Sequence, residues 1–327
     1  MQIRSPAAIS IPTPIRSRDN PQVKALRALI SQPRVRRELR QCWLEGSRLV
    51  EAFLSQETAG WQAHLLVWAA TAGKGAQGNH ASPGPDTLQA RLIAQAEAAG
   101  AEVLALDAAI FAYLSGVEAP QGIGLVVSQT GQVEEALPAG ADILVLDGLQ
   151  DPGNMGSMIR TAAAAGVGQV LLTEGSTEAF SPKALRAGAG TQFLLPVREG
   201  LSPEQLAQDL SAQGYTVAVT LPPGAPGVAD LYSPEVTQRL KSAAPIAWVL
   251  GQEGQGVSPV WQGEVSQARQ ESQAGNVSKR VQRLPASPTF PLGQTLRITI
   301  RHDPQVESLN VTAAAAVVLF ERLRCRR

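Results

Sequence analysis

From Ile143 onward short apolar runs alternate with stretches of helical periodicity, and this alternation limits the possible folds more than any other feature of the chain. Ile143-Leu-Val-Leu-Asp147 is apolar up to its last residue, the pattern of a strand covered on both faces. A glycine-rich turn and a helix over 155–165 follow, then a strand at Gln169-Val-Leu-Leu-Thr173. The same reading predicts helices over 183–187 and 203–212, and strands over 193–197, 216–220 and 246–251. A strand over 296–300 and a helix over 311–322 end the chain. Parallel strands need crossover connections, which the intervening helices supply, so this half is predicted to be α/β with a parallel sheet.

The first half carries a weaker version of the pattern. Apolar residues at helical spacing (Val23, Leu26, Leu29, Ile30, then Leu49, Val50, Phe53, Leu54) predict two helices around a strand-like Cys42-Trp43-Leu44. Strands over 64–69, 102–106 and 122–127 and a helix over 88–99 complete a small α/β domain. With 327 residues, two domains are expected rather than one. The predicted division is a flexible basic arm over 1–16, a first domain over 17–130, a linker over 131–140 and a second domain over 141–327. A glycine- and proline-rich loop interrupts the first domain at 71–86, and a polar insert over 262–295 interrupts the second.

Composition narrows the function classes. Hydrophobic residues make up 44% and charged residues 17%, a globular balance. No apolar run approaches the roughly 18 residues of a membrane span, and the simplest location is the cytoplasm. Cys42 and Cys325 sit at opposite ends of the chain, so neither a disulfide scaffold nor a zinc site is implied. His64, His80 and His302 are too scattered to suggest a metal or a histidine pair. Net charge is zero, but residues 1–50 hold ten basic against three acidic residues, and residues 268–327 hold ten against four. Basic ends on an acidic body suit a polyanion binder, although a solvated arginine-rich face would read the same way.

Three segments carry the chemistry. They are Asp151-Pro-Gly-Asn154-Met-Gly-Ser-Met-Ile-Arg160-Thr-Ala162, Leu250-Gly-Gln-Glu253-Gly-Gln-Gly256-Val-Ser258, and Val306-Glu-Ser308-Leu309-Asn310-Val311 entering an alanine-rich helix. Taken singly each has an ordinary explanation: Ser308 or Asn310 as a helix N-cap, Gly251–Gly256 as a turn, Arg160 as a salt-bridge partner of Glu253. Taken together, in this order, they resemble the N-x-G-x-x-x-R, G-x-E-x-x-G and S-L-N-V motifs of the SpoU (TrmH) family of RNA ribose methyltransferases, within the knotted SPOUT superfamily. The resemblance covers about 142–323. A weaker one, through Ser17-Arg-Asp-Asn-Pro-Gln-Val-Lys24 and Leu44-Glu-Gly-Ser-Arg-Leu-Val50, is to that family's N-terminal substrate-binding domain.

The resemblance implies a C-terminal trefoil-knotted parallel-sheet domain, S-adenosylmethionine as methyl donor, ribosomal RNA in preference to transfer RNA as partner, and a homodimer. It implies donor binding by Thr220, Leu221, Leu250, Gly251, Gly256, Ile300, Ser308 and Leu309. It implies catalytic duties for Arg160, Asn154, Glu253, Ser308 and Asn310, with no metal. Arginine cannot serve as an ordinary base, but it can hold a phosphate bidentately and stabilise a developing 2′-alkoxide. Only RNA carries that hydroxyl. The chain departs from the family where Ile300-Arg301-His302 replaces Ile-Pro-Met, and at Ala163 and Gly188. A non-catalytic RNA-binding or ribosome-assembly factor on the same fold is the competing expectation. A nucleotide-dependent oxidoreductase is set aside, because Gly148-Leu-Gln-Asp-Pro-Gly153 after the first strand is no G-x-G-x-x-G turn.

Overall fold

The computed structural model describes residues 13–56, 58, 60–72, 80–81, 87–130, 136–252, 254–262 and 295–326. The predicted arm before residue 13, most of the 71–86 loop, residues 131–135 of the linker and the insert over 263–294 lie outside them. The chain divides into two units. The first takes the N-terminal residues through Val133 together with Phe180–Leu194, and the second takes the remainder.

In the first unit Asn20 caps α1 (Pro21–Ser31) through the Gln22 amide at 2.9 Å. The expectation of two helices between residues 21 and 54 is corrected to three: α1, α2 (Pro33–Leu39) and α3 (Ser47–Leu54). Proline inside a helix lacks the N–H and clashes with the preceding turn, so Pro33 opens a new helix instead of continuing the old one. Strand β1 (Gln41–Glu45) pairs antiparallel with β5 (Ile123–Gln129), and β5 pairs antiparallel with β2 (Trp61–Ala72). The short β3 (His80–Ala81) and β4 (Glu102–Asp107) also pair with β2, the latter in parallel, so the sheet is mixed. Helices α4 (Leu88–Ala98) and α5 (Ala108–Leu114) complete the unit's N-terminal part. The predicted arm over 1–16 stops short at its C-terminal end. Ile15 donates to the Ala105 carbonyl at 3.0 Å and accepts from the Asp107 amide at 2.9 Å, joining the edge of β4 while its side chain packs on the core.

The second unit alternates strand and helix: β6 (Ile143–Asp147), α6 (Pro152–Ala164), β7 (Gln169–Thr173), then, beyond α7 (Pro182–Gly188), β8 (Val197–Leu201) and α8 (Pro203–Ala212). It continues through β9 (Thr216–Thr220), β10 (Ala229–Asp230), α9 (Pro234–Leu240), β11 (Ile246–Gly251), α10 (Pro259–Gln262), β12 (Thr295–Thr299) and α11 (Val311–Arg326). Among the described residues the strands form one parallel sheet, in the order β10-β12-β9-β11-β6-β7-β8. Every residue of β6 and β7 is buried, which is why these strands read as unbroken apolar runs. Asp151, Ser181, Ser202 and Ser233 each cap a helix whose next residue is proline. An oxygen accepting the first free amides and a preset φ at the following position fix where these crossovers start.

The strand predicted over 193–197 is not formed as such. Thr191–Phe193 is a 3-10 turn, and β8 begins only at Val197. Phe193 and Leu185 are claimed instead by the core of the first unit, where the Phe193 ring lies 4.9 Å from Phe53 and 5.2 Å from Trp61. Packing against aromatic rings outweighs the sheet ladder at this apolar run.

Candidate active site

Parallel strands present their carboxyl ends on one side of the sheet, where ligands of open α/β folds are held. Beyond the ends of three adjacent strands, β12, β9 and β11, lies a cavity of about 310 Å³. Strand β9 supplies Thr220 and leads into Leu221 and Pro222, β11 supplies Leu250 and Gly251, and β12 supplies Thr299, with Ile300 following. Gln252, Gly254 and Gly256 close one side, and His302, Glu307, Ser308, Leu309 and the first turns of α11 close another. The eight residues named for donor binding on sequence grounds, Thr220, Leu221, Leu250, Gly251, Gly256, Ile300, Ser308 and Leu309, all line it.

The 251–256 loop is held by its own backbone. Gln252 and Gly256 exchange amide–carbonyl hydrogen bonds of 3.0 and 2.9 Å. A Cβ on Gly251 would stand 2.0 Å from the Gly256 carbonyl oxygen, so only glycine fits there. Gly254 and Gly256 have φ of 99° and 72°, in the region that favours glycine. Buried Asp147, at the end of β6, anchors the loop's exit: its carboxylate accepts from the Ser258 amide at 2.5 Å and from the Thr173 hydroxyl at 2.8 Å.

The third motif is tied to the first by a residue that sequence reasoning passed over. Thr312 Oγ1 donates to Asn154 Oδ1 at 3.3 Å, joining the start of α11 to the first turn of α6. Asn310 caps α11, its side-chain oxygen accepting from the amides of Thr312 at 3.0 Å and Ala313 at 3.4 Å. Its carboxamide oxygen thus serves the first free amides of the helix. Ser308 is exposed at the cavity rim. Arg160 is exposed as well, and makes no hydrogen bond or ion pair among the described residues. The neighbouring Met158, Ile159 and Ala162 are buried, so α6 turns an apolar face inward and presents the guanidinium to solvent. Glu253 lies outside the described residues, and with it the suggested Arg160–Glu253 pair.

Helix α11 is anchored at its far end. Arg322 is 2% exposed. Its Nε donates to Asp142 Oδ2 at 2.9 Å and its Nη2 to the Ala244 carbonyl at 2.7 Å. Its Nη1 donates to the carbonyls of Ser242, at 2.9 Å, and Leu240. Asp142 also accepts from Arg326 at 3.1 Å and from the Ile246 amide at 2.8 Å. A fully bonded buried guanidinium thereby fixes α11 to the starts of β6 and β11. The helix buries one stripe (Val311, Ala315, Val318, Leu319, Arg322), while Phe320 is 45% exposed, so it is less enclosed than its apolar sequence predicts.

The lining suits a nucleoside attached to a small charged group. Leu221, Leu250, Ile300, Leu309 and Ala314 give apolar wall for a flat ring, and glycine backbone allows close approach. Thr299 Oγ1 is buried without a hydrogen-bond partner among the described residues, a polar atom left for an occupant to satisfy. Glu307, exposed, adds an acidic side chain to the lining. Among the described residues no three potential metal ligands cluster.

The SpoU rRNA Methylase family matches residues 142–272, and an MRM3-like substrate binding domain matches residues 20–124. An uncharacterized tRNA/rRNA methyltransferase of Synechocystis is 29% identical over 95% of this chain and 93% of its own length. The 23S rRNA (guanosine(2553)-2′-O)-methyltransferase of Bacillus subtilis is 35% identical over 48% of this chain and 58% of its own. The structure of an AdoMet-bound rRNA methyltransferase from Sinorhizobium meliloti superimposes with a TM-score of 0.68 at 24% identity, covering 95% of this chain and 97% of that one. Residues 20–124 thus resemble an MRM3-like substrate binding domain and residues 142–272 the SpoU rRNA Methylase family, in the order in which the three motifs lead one to expect them.

Proposed function

We propose that the protein is an S-adenosylmethionine-dependent RNA methyltransferase that methylates a ribose 2′-hydroxyl, with ribosomal RNA as substrate. The observation that carries this reading is the single cavity lined by the 251–256 loop, the 299–302 segment and the Ser308-Leu309 turn, which are far apart in sequence. S-adenosylmethionine would be held there by the apolar walls, by Ser308 and the unpartnered Thr299 hydroxyl, and by Glu307. When bound it supplies an electrophilic methyl group on a cationic sulfur.

The protein's own residues position and stabilise. Arg160, exposed on α6, holds an acceptor phosphate and offsets charge developing on the 2′-oxygen. Asn154, oriented by Thr312, sets the beginning of the arginine's helix. Asn310 keeps the cavity wall in register with α11. A homodimer belongs to the same proposal: exposed Arg160 and Phe320 lie on α6 and α11, which pack together and leave a charged and an apolar group uncovered. Guanosine as target nucleoside is supported by the Bacillus subtilis relative, and cytoplasmic location by composition.

The test is transfer of labelled methyl from S-adenosylmethionine to unmodified ribosomal and transfer RNA, by wild type and Arg160→Ala. Label recovered as a 2′-O-methylnucleoside from ribosomal RNA, and lost in the variant, is the expected result. Intact RNA binding with no transfer to either RNA would overturn it.

A further inference from the structure

We propose that His302 contacts the cavity's occupant and sets the preference between the cationic methyl donor and the neutral product left after transfer; this rests on the reading given under Proposed function. His302 is half-buried and lines the cavity. Its Nδ1 lies 2.8 Å from the Ile300 carbonyl oxygen. A carbonyl can only accept, so Nδ1 carries the proton of this bond. The ring is thus held in one tautomer, and any charge change occurs at Nε2. Imidazole is the side chain whose charge ordinarily changes between about pH 5 and 8.

The surrounding charges leave that change unmasked. Arg301 is directed elsewhere, its Nε 2.8 Å from Asp230 Oδ2 on β10. Asp303 accepts from the Gln305 amide at 2.9 Å within its own turn. Glu307 faces the cavity from the same loop and is the acidic side chain among the described lining residues. The other facing walls, Leu221, Pro222, Pro223, Gln252 and the start of α11, contribute no charge among the described residues.

Methyl transfer changes the charge that His302 meets. The bond from sulfur to methyl breaks, a bond from the ribose oxygen to methyl forms, the oxygen releases a proton to solvent, and the sulfonium becomes a neutral thioether. A proton on Nε2 therefore repels the donor and not the product. A compact volume of about 310 Å³ is roughly 10 Å across, which sets the scale taken for the separation between His302 and a ligand's charge. At that separation, with an effective dielectric constant of about 40, the repulsion weakens the donor roughly three- to fivefold relative to the product. Acidification then favours the product complex.

Calorimetric titration of the full chain with S-adenosylmethionine and with S-adenosylhomocysteine, at pH 5.5 and 8.0, tests this in wild type, His302→Gln and His302→Met. The ratio of donor to product dissociation constants is expected to rise roughly three- to fivefold on acidification in wild type and to stay flat in both variants. The ligands' own amino groups titrate alike in all three proteins, so the variants subtract them. A proton NMR titration of the wild-type ring adds a readout independent of variant folding: His302 should titrate at lower pH with donor bound than with product bound. A wild-type ratio that does not move, an equal pH response in the variants, or identical titration in both complexes would overturn the inference alone. Failure of wild type to bind either ligand would overturn the proposed function, and this inference with it.

Discussion

Gly251→Ala is the substitution that most directly tests how the cavity is built. The added Cβ would lie 2.0 Å from Gly256 O, 2.3 Å from Gly256 C and 2.6 Å from Val257 N, whereas ordinary contact begins near 3.4 Å. All three are backbone atoms, so no rotamer change relieves the overlap, and the loop must move by about 1.4 Å. That movement breaks the paired Gln252–Gly256 hydrogen bonds, at a cost of about 1–3 kcal/mol. For a domain of this size the melting temperature should fall by roughly 3–10 °C. The displaced loop is also a wall of the cavity, so affinity for S-adenosylmethionine should fall by at least about 30-fold, or roughly 2 kcal/mol. Gly254→Ala is the matched control. Its φ of +99° strains any side chain, by about 1 kcal/mol, but a Cβ there meets nothing within 4 Å, and affinity should change less than about threefold. Calorimetric binding and scanning calorimetry on both variants decide the matter. Gly251→Ala binding within twofold of wild type would refute the assignment of this loop to the donor cavity.

Three further outcomes follow from buried contacts. Arg322→Met should destabilise the second unit by about 3–5 kcal/mol in denaturant titration, because Asp142 keeps its burial and loses its closest cation, and Asp142→Asn in the same chain should recover part of the loss. Thr312→Val removes the hydroxyl that orients Asn154, and should lower methyl transfer several-fold while costing only about 0.5–1.5 kcal/mol of stability. Burial first, and then the negative charge of Asp142, hold the Tyr215 phenol above its ordinary range. The folded state therefore keeps that proton more tightly than the unfolded one, and the stability it lends is complete below about pH 10 and lost as pH rises further. Urea midpoints measured at pH 9 and 11 should show a decline in wild type that is smaller in Tyr215→Phe.

What the sequence disclosed follows from where each signal resides. Strands β6, β7 and β11 have both faces covered, so burial wrote itself into the residues as uninterrupted apolar runs. Glycines 251, 254 and 256 were legible because a close backbone approach excludes a Cβ at the first and a positive φ favours glycine at the other two. The allegiance of Phe193 was not, since an apolar run looks the same whether a sheet or a distant aromatic cluster recruits it. Arg322 was hidden for a different reason. Arginine is almost never fully buried, so within a basic C-terminal stretch it counts as surface until Asp142, 180 residues away, is seen beside it. Thr312 and Thr299 left no trace either, because a threonine near a helix start or on a strand is ordinary. Their meaning comes only from Asn154 opposite one, and from the missing partner of the other.

The burial of Arg322 also bears on the charge argument. A field that attracts RNA comes from exposed cations, and the basic residues of the two ends do not count equally. In the N-terminal stretch Arg16, Arg18, Lys24, Arg27, Arg34, Arg37, Arg40 and Arg48 are all exposed, and Arg36 alone among the described basic residues is buried. Arg18 and Arg27 lie 4.4 and 5.0 Å from the Tyr113 ring centroid, and Lys24 pairs with Asp19 at 2.9 Å, in surface contacts that cost little to rearrange. The cavity proposed for the donor has the opposite character, with Glu307 in its wall and, among the described residues, neither lysine nor arginine in its lining. A cationic donor and a polyanionic acceptor require opposite fields, and a chain of zero net charge can offer both only by separating them along its length. The concentration of exposed cations before residue 50 and the acidity of the middle of the chain achieve that separation.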